Sequence, residues 1–333
     1  MAGYAARWRV FAVNRETWAD AGELSGVQSM RVSRDASTPL LESGSMVAMG
    51  RIDPGYYRIT MLVGTERVEV ATLYFALSEW ENDRGAEACD LVGYSVLKPA
   101  EGQVMTRGAY APAGCDGAEL AADLLRGCIA APVEVDGSFT LDAHVVFDAG
   151  SRVIDAVRLL LDAGGFIIQI SGDGTVRIMP KPTEPALALD RDAMGILQCR
   201  VTGKSDVSEV RNRWFAADGS SVAVAANDDP DSPTGYQAVG YWNDGYDDSP
   251  VRVNGETLEA YAARRLAEQS VIVEERRYTR EWVEGVYPGS IVRGSLGGHG
   301  LYGDMRVTAQ SIECDKGVTV EETVEHEERT WPL

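Results

Sequence analysis

Apolar and polar residues alternate along much of the chain, and this pattern predicts a protein made mostly of β-strands. Clear runs of this kind lie at 57–63, 92–96, 222–224 and 318–321. Alternation with a period of two indicates half-buried antiparallel strands. Turn-forming segments separate the runs, for example Asp53-Pro54-Gly55 and Pro288-Gly289.

Apolar residues that recur every three or four positions predict helices at about 120–129, 153–161 and 257–270. Asp116 and Glu119 lie at capping-box spacing ahead of the first helix. Ser151 is a candidate N-cap of the second, and Gly164-Gly165 supplies a left-handed stop after it. Three helices among many strands predict an α+β fold that is dominated by strands.

The order of these elements divides the chain into modules. Pro180, Pro182 and Pro185 predict a linker, because proline ends ladders of backbone hydrogen bonds. The preferred division is an all-β module at 1–98, an α/β module (helix-strand-helix-hairpin) at 99–185, a second all-β module at 186–226 and 271–325, an inserted loop and helix at 227–270, and a C-terminal tail at 326–333.

The amino-acid composition indicates that the chain can bury a hydrophobic core. Of its 333 residues 45% are hydrophobic and 25% are charged, the usual balance of a globular protein. No apolar run approaches the roughly 20 residues of a membrane-spanning helix, and the N-terminus lacks the pattern of a signal peptide. We therefore expect no membrane span, and synthesis and folding in a cytoplasm. The cysteines are widely spaced and form no CxxC pair. This predicts free thiols at Cys89, Cys115, Cys128, Cys199 and Cys314.

The net charge of −20 bears on possible partners. Acidic residues outnumber basic ones by 51 to 31, and no cluster of Lys or Arg offsets them. Such a chain repels a phosphate backbone, so sequence-specific nucleic-acid binding is not expected.

Residues with the usual catalytic chemistry are few. The three histidines are His144, in an apolar alternation that favours a structural role, His299 in a glycine-rich turn, and His326 in a charged segment. Phosphate-binding, nucleophile-elbow and zinc-protease motifs are absent. The Gly172-Asp173-Gly174 segment joins two short strands and is typical of a hairpin turn. No catalytic, cofactor-binding or metal-ligating residue is predicted. The acidic segments 227–231 and 243–248 could ligate calcium, but their residue types also form turns.

A succession of four local patterns carries a family resemblance. A helix opened by Asp148-Ala149-Gly150-Ser151 is followed by a hairpin that ends at Pro180. Downstream come a strand at 210–215 with a loop at 226–234, a helix at 262–268, and a Pro288-Gly289 turn before a strand at 303–308. Their order and spacing over about 148–320 resemble the baseplate-hub (tail-tip hub) proteins of long-tailed bacteriophages.

This resemblance implies a structural virion protein at the tip of the tail, assembled in the host cytoplasm and without enzymatic activity. In the family, each chain donates two tail-tube-like β-barrels and three chains form a ring, so that a three-fold tip meets a six-fold tube. The implied partners are two further copies of the chain, the distal-tail and tail-tube proteins, the tape-measure protein, and other tip or fibre proteins. An acidic lumen that lets DNA pass during ejection is a further hypothesis.

Two other functions were weighed. A tail-associated cell-wall hydrolase usually carries its catalytic part in an added C-terminal domain, which the segment after the last strand pattern is too short to form. A tail-tip adhesin that binds a host carbohydrate or receptor is the main alternative, because the seven tryptophans could stack on sugars. They are spread along the chain, however, which favours roles in the core and at interfaces.

Overall fold

The structure, a computed structural model, describes residues 7–63, 65–83, 86–189, 198–201, 210–296, 301–315 and 317–331. The strands of the first half are β1 (Arg7–Val13), β2 (Asp20–Glu23), β3 (Val27–Asp35), β4 (Glu42–Met49), β5 (Gly55–Val63), β6 (Glu66–Asp83), β7 (Ala86–Tyr94), β8 (Tyr110–Ala111), β9 (Val133–Val135), β10 (Val145–Val146), β11 (Phe166–Ile170) and β12 (Val176–Pro180). Those of the second half are β13 (Pro185–Leu189), β14 (Gln198–Val201), β15 (Arg213–Ala217), β16 (Val222–Ala226), β17 (Asp244–Asp247), β18 (Val271–Glu281), β19 (Ile291–Leu296), β20 (Leu301–Cys314) and β21 (Val318–Arg329). The helices are α1 (Lys98–Gly102), α2 (Gly117–Arg126), α3 (Val153–Gly164), α4 (Tyr236–Val239) and α5 (Leu258–Gln269).

One large sheet runs through both β modules. Its order within the described residues is β14-β18-β21-β20-β3-β4-β7-β6-β5-β1-β2, with β19 also on β20 and β13 on β19. Strand β20 joins the modules: 301–306 pairs with β19 of the second module, and 309–314 pairs with β3 of the first. Strand β21 pairs with β20 across that change of partner. The modules therefore share a continuous hydrogen-bonded ladder.

The α/β module packs beside the first β module, and its apolar core extends to Val13 and Tyr56 of that module. Helices α2 and α3 contact each other and cover β9, β11 and β12. The Asp116 carboxylate accepts hydrogen bonds from the backbone N–H groups of Ala118 and Glu119, so Asp116 caps α2 as predicted. Gly165 adopts a left-handed conformation (φ 69°) at the end of α3, which confirms the predicted stop.

One cap differs from the prediction. The Ser151 hydroxyl donates to the Asp148 carbonyl at 2.7 Å, and the N-cap residue of α3 is Arg152, which makes no side-chain capping bond. Ser151 lies one residue too early, so its oxygen is engaged in the preceding turn. Its assignment as N-cap is wrong.

The insert forms a small layered unit. Strand β15 pairs with β16 on one side and with β17 on the other, and α5 packs on one face of this three-stranded sheet. Thr257 caps α5 with its hydroxyl. The sequence assigned 213–226 to the second β module, but these strands pair with the insert instead. Likewise β21 continues to Arg329, into the segment 326–333 that the sequence predicts to be a C-terminal tail. The remaining module limits stay predictions.

The α+β, strand-dominated class is confirmed. No closed barrel is found among the described residues, so the two tube-like barrels are not confirmed. None of the described helices has the length and apolar character needed to cross a membrane.

Candidate functional site at the junction of the β modules

A row of buried charged and polar side chains crosses the joint between the two β modules. It consists of Glu42, Arg34, Gln310, Glu322 and Arg280, none of them more than 4% exposed. Arg34 Nε donates to Glu42 Oε1 at 2.6 Å, and Arg34 Nη1 lies 3.4 Å from Gln310 Oε1. Gln310 Nε2 donates to Glu322 Oε1 at 2.7 Å. Arg280 holds Glu322 with two parallel bonds of 2.9 and 2.6 Å. We call these five residues the buried polar row.

Strand alternation places the row inside. Arg34 on β3 and Gln310 on β20 are cross-strand partners in the antiparallel ladder, and Gln310 is likewise opposite Glu322 on β21. Side chains opposite each other point to the same face of a sheet. The register therefore brings the three groups together although they are up to 288 positions apart in the sequence.

Most remaining polar atoms of the row bond to backbone carbonyls. Arg34 Nη2 donates to Val70 O at 2.7 Å, Gln310 Nε2 to Val286 O at 3.0 Å, and Arg280 Nη1 to Glu281 O at 2.8 Å. Glu42 Oε2 makes no hydrogen bond within the structure. Burial raises the pKa of Glu42, and the neighbouring Arg34 charge opposes that rise.

These groups suit a structural role. Removing one partner of a buried ion pair leaves an uncompensated charge, so such pairs tolerate only one alignment of the strands that carry them. Burial raises the pKa of Tyr278, which packs beside the row, well above its usual value, and the Glu322 charge adds to this. The phenol is thus held neutral at any physiological pH. We expect the row to fix the register of β3, β20, β21 and β18.

A cavity of ≈ 580 Å³ lies where the three modules meet. Arg34 and Glu42 reach it from the first β module, Leu159 and Phe166 from the α/β module, and Tyr287 from the second β module. The Arg34 guanidinium lies 5.0 Å from the centre of the Tyr287 ring. Charged groups line the cavity from both sides, Arg34 and Glu42 from the first β module and Asp155, Arg158 and Asp162 from α3, among apolar side chains such as Leu161 and Ile168.

The tip of the β11–β12 hairpin docks onto the first β module. Trp18 Nε1 and Arg58 Nη2 donate to the Asp173 carbonyl at 2.8 and 3.0 Å, and Thr72 Oγ1 donates to the Gly172 carbonyl at 2.9 Å. A Cβ atom at Gly172 would lie 1.9 Å from the Glu69 carbonyl oxygen, so only glycine allows this approach. The hairpin predicted at this segment is confirmed, and its turn is a contact between modules.

Hydrogen bonds that involve backbone groups attach the insert to the α/β module. The Asp142 carboxylate accepts from the N–H groups of Gly255 and Glu256 at 2.7 and 3.0 Å. Asn254 exchanges two bonds with Thr140, both of 2.9 Å.

The residues singled out in the sequence do not come together. His144 accepts a hydrogen bond from Ala113 N–H at the surface, and His326 lies against Tyr302 and bonds to the Asp304 carbonyl. His299 and the side chain of Cys199 lie outside the described residues, and the other four cysteines are free. The buried Asn227 amide is held by Ser232 and Thr234 in a turn. In the described part of the chain, no group of three His, Cys, Asp or Glu side chains could hold a metal ion.

The buried polar row was not predicted. The signal that could have found it is a charged residue at a strand position where the alternation predicts an apolar side chain. Such residues are Arg34, Arg280 and Glu322.

Comparison with known proteins gives matches among solved structures alone. No family model matches the sequence, and neither does any curated protein. A tail protein from Neisseria meningitidis has a TM-score of 0.69 at 15% identity, with 97% of each chain covered. The 43 kDa tail protein of prophage MuSo2 from Shewanella oneidensis has a TM-score of 0.64 at 12% identity, with 96% of each chain covered.

A third structure links the fold to a secretion machine. It is an Escherichia coli protein described as a component of the type VI secretion system that is structurally similar to the bacteriophage T4 tail proteins gp27 and gp5. Its TM-score is 0.53 at 10% identity, with 90% of this chain and 74% of that chain covered. Likeness at such identities establishes the fold, and the chain therefore has the fold of phage tail proteins, as the resemblance in its sequence predicted.

Proposed function

We propose that this chain is a structural subunit of a bacteriophage tail and, more specifically, the trimeric hub that closes the tube at the tail tip. The observation that carries the proposal is the match of nearly the whole chain to two tail proteins, one of them from a prophage. A match this extensive includes the α/β module and the insert as well as the β modules.

The junction of the β modules supports a mechanical role. A continuous ladder through β20 and the buried polar row join the two modules directly. A subunit that adapts a three-fold tip to a six-fold tube needs such a fixed spacing between its modules. The proposed partners are two further copies of the chain, the tail-tube and distal-tail proteins, the tape-measure protein, and other tip or fibre proteins.

We propose no catalytic activity for the chain. The charged groups of the buried polar row are engaged in ion pairs and backbone bonds, and His144 lies at the surface. A cell-wall hydrolysis assay is expected to show no turnover above the buffer control.

Light scattering on the purified protein tests the assembly. A trimer of 36.0 kDa chains has a mass of about 108 kDa, and negative-stain microscopy should show a ring with a central hole. A monomer at every concentration, which also fails to co-sediment with tail-tube protein, would overturn the hub assignment.

A further inference from the structure

The three-stranded sheet of the insert exposes an apolar face. Phe215 on β15 lies opposite Val224 on β16 and Tyr246 on β17, and Val222 is the next exposed residue of β16 on that face. Val222, Val224 and Tyr246 are 63%, 53% and 63% exposed. We call these four residues the outer face. The opposite face, which includes Trp214, is covered by α5.

A ladder of flat side chains extends the outer face. The rings of Tyr236 and Trp242 are stacked with centroids 4.5 Å apart. The Arg213 guanidinium lies 4.7 Å from the Trp242 centroid and 5.0 Å from that of Phe215. Asp244 fixes Arg213 with two bonds of 2.7 and 2.8 Å. These side chains are already ordered, so a partner would lose little entropy by docking on them.

The surroundings of the outer face are acidic. Residues 213–248 contain seven aspartates and one basic residue, Arg213, and arginines from outside this range pair with two of the seven, Arg252 with Asp218 and Arg265 with Asp247. Asp218 and Asp248 are exposed beside the apolar strands, and Asp228 and Asp229 lie exposed in the following loop. A second copy of this same acidic face would be repelled, and so would nucleic acid. Charge complementarity calls for a partner whose apolar centre is bordered by Lys and Arg.

The chemistry of the face favours a protein over a sugar. Sugars stack on free aromatic faces, whereas the Trp242 ring is already engaged by Tyr236 and Arg213. The most exposed groups include two valines, which offer a sugar neither stacking nor hydrogen bonds. Tyr, Trp and Arg around an apolar centre are instead the residues that dominate protein interfaces.

We propose that the outer face docks a different protein of the tail, one that presents an apolar strip flanked by basic residues. The proposal rests on the proposed tail function. It adds to that function a lateral attachment site on the insert, away from the junction of the β modules.

The test uses assembled particles. The photo-crosslinker p-benzoylphenylalanine replaces Val224, and in a matched control it replaces Val146, which is 73% exposed on the α/β module. After irradiation of purified particles, the cross-linked peptides are identified by mass spectrometry. We expect the Val224 site, and not the Val146 site, to cross-link to one other tail protein, at a segment rich in Lys and Arg. Cross-links only to the chain itself, to an acidic or neutral segment, or to nothing would overturn the proposal.

A second variant measures the contribution of the face. Val224→Ser with Tyr246→Ser keeps the α5 face intact, and we expect particles to carry about tenfold less of the partner. The Val146→Ser control should leave its amount unchanged. An unchanged amount of the partner protein in both variants would count against a protein partner. A change in the NMR chemical shifts of Tyr246 on titration with chito-oligosaccharides would count against it as well. If particles contain none of the wild-type chain, the proposed function itself fails, and the two failures are thus distinguishable.

Discussion

The ion pair between Arg280 and Glu322 gives the sharpest test of the junction. Both side chains are fully buried, and two parallel hydrogen bonds of 2.9 and 2.6 Å join them. Glu322 also accepts from Gln310 at 2.7 Å. Glu322→Gln keeps the volume of the side chain but leaves the Arg280 guanidinium charged and unpaired in the interior.

The size of the effect follows from burial. Breaking one side of a buried, hydrogen-bonded ion pair lowers the free energy of unfolding by about 3–5 kcal/mol. The pair between Arg293 and Asp304 is the matched control, because its bonds of 2.6 and 2.8 Å have the same bidentate geometry. Its side chains are 58% and 44% exposed. We expect Asp304→Asn to change stability little, since solvent compensates an exposed pair.

Hydrogen exchange followed by mass spectrometry is the assay of choice, because a chain of this size is expected to unfold in more than one step. In Glu322→Gln, amides of β18 and β21 should exchange about a hundredfold faster or more, whereas those of α2 should be unaffected. The double variant Arg280→Met with Glu322→Leu should lose less stability than Glu322→Gln, because it leaves no charge behind. Equal effects of Glu322→Gln and Asp304→Asn, or a double variant as unstable as the sum of its single variants, would refute this reasoning.

Three further predictions concern the modules separately. Gly172→Ala should destabilise the protein by about 1–3 kcal/mol in thermal or urea unfolding, because its Cβ would meet the Glu69 carbonyl; Gly22→Ala, with nothing within 4 Å, should be neutral. Burial alone would raise the pKa of Asp173, but hydrogen bonds within the turn outweigh it and the pKa is lowered. Its stabilisation is therefore present above the unfolded pKa near 4 and lost as pH falls through the lower folded value, so Asp173→Asn should cost about 1–2 kcal/mol at pH 7 and progressively less as the pH falls below 4. Burial raises the pKa of Cys314 to about 12, so this thiol should resist a disulfide reagent at pH 8 until the protein is unfolded.

Local features of the fold were predictable from the sequence, because they depend on neighbouring residues. The hairpin 166–180, the cap at Asp116 and the stop at Gly165 follow from turn chemistry and from the periodicity of apolar residues. The helix expected at about 257–270 is α5, Leu258–Gln269.

Long-range pairing was not predictable in the same way. Whether β15 pairs with the second β module or with β17 depends on contacts that no local pattern encodes. The stacked side chains next to the outer face could not be predicted for the same reason. No other tryptophan lies near Trp242 in the sequence, yet the fold places its ring against Tyr236 and beside Arg213 from β15. The buried polar row requires the register of five strands, which becomes defined only when the modules assemble.

The position of the chain in the virion is the most direct test of the central claim. An affinity tag on the chain, labelled with gold in purified particles, should appear at the end of the tail distal to the capsid. Label along the tail shaft, or particles that are infectious and contain none of the chain, would contradict the account.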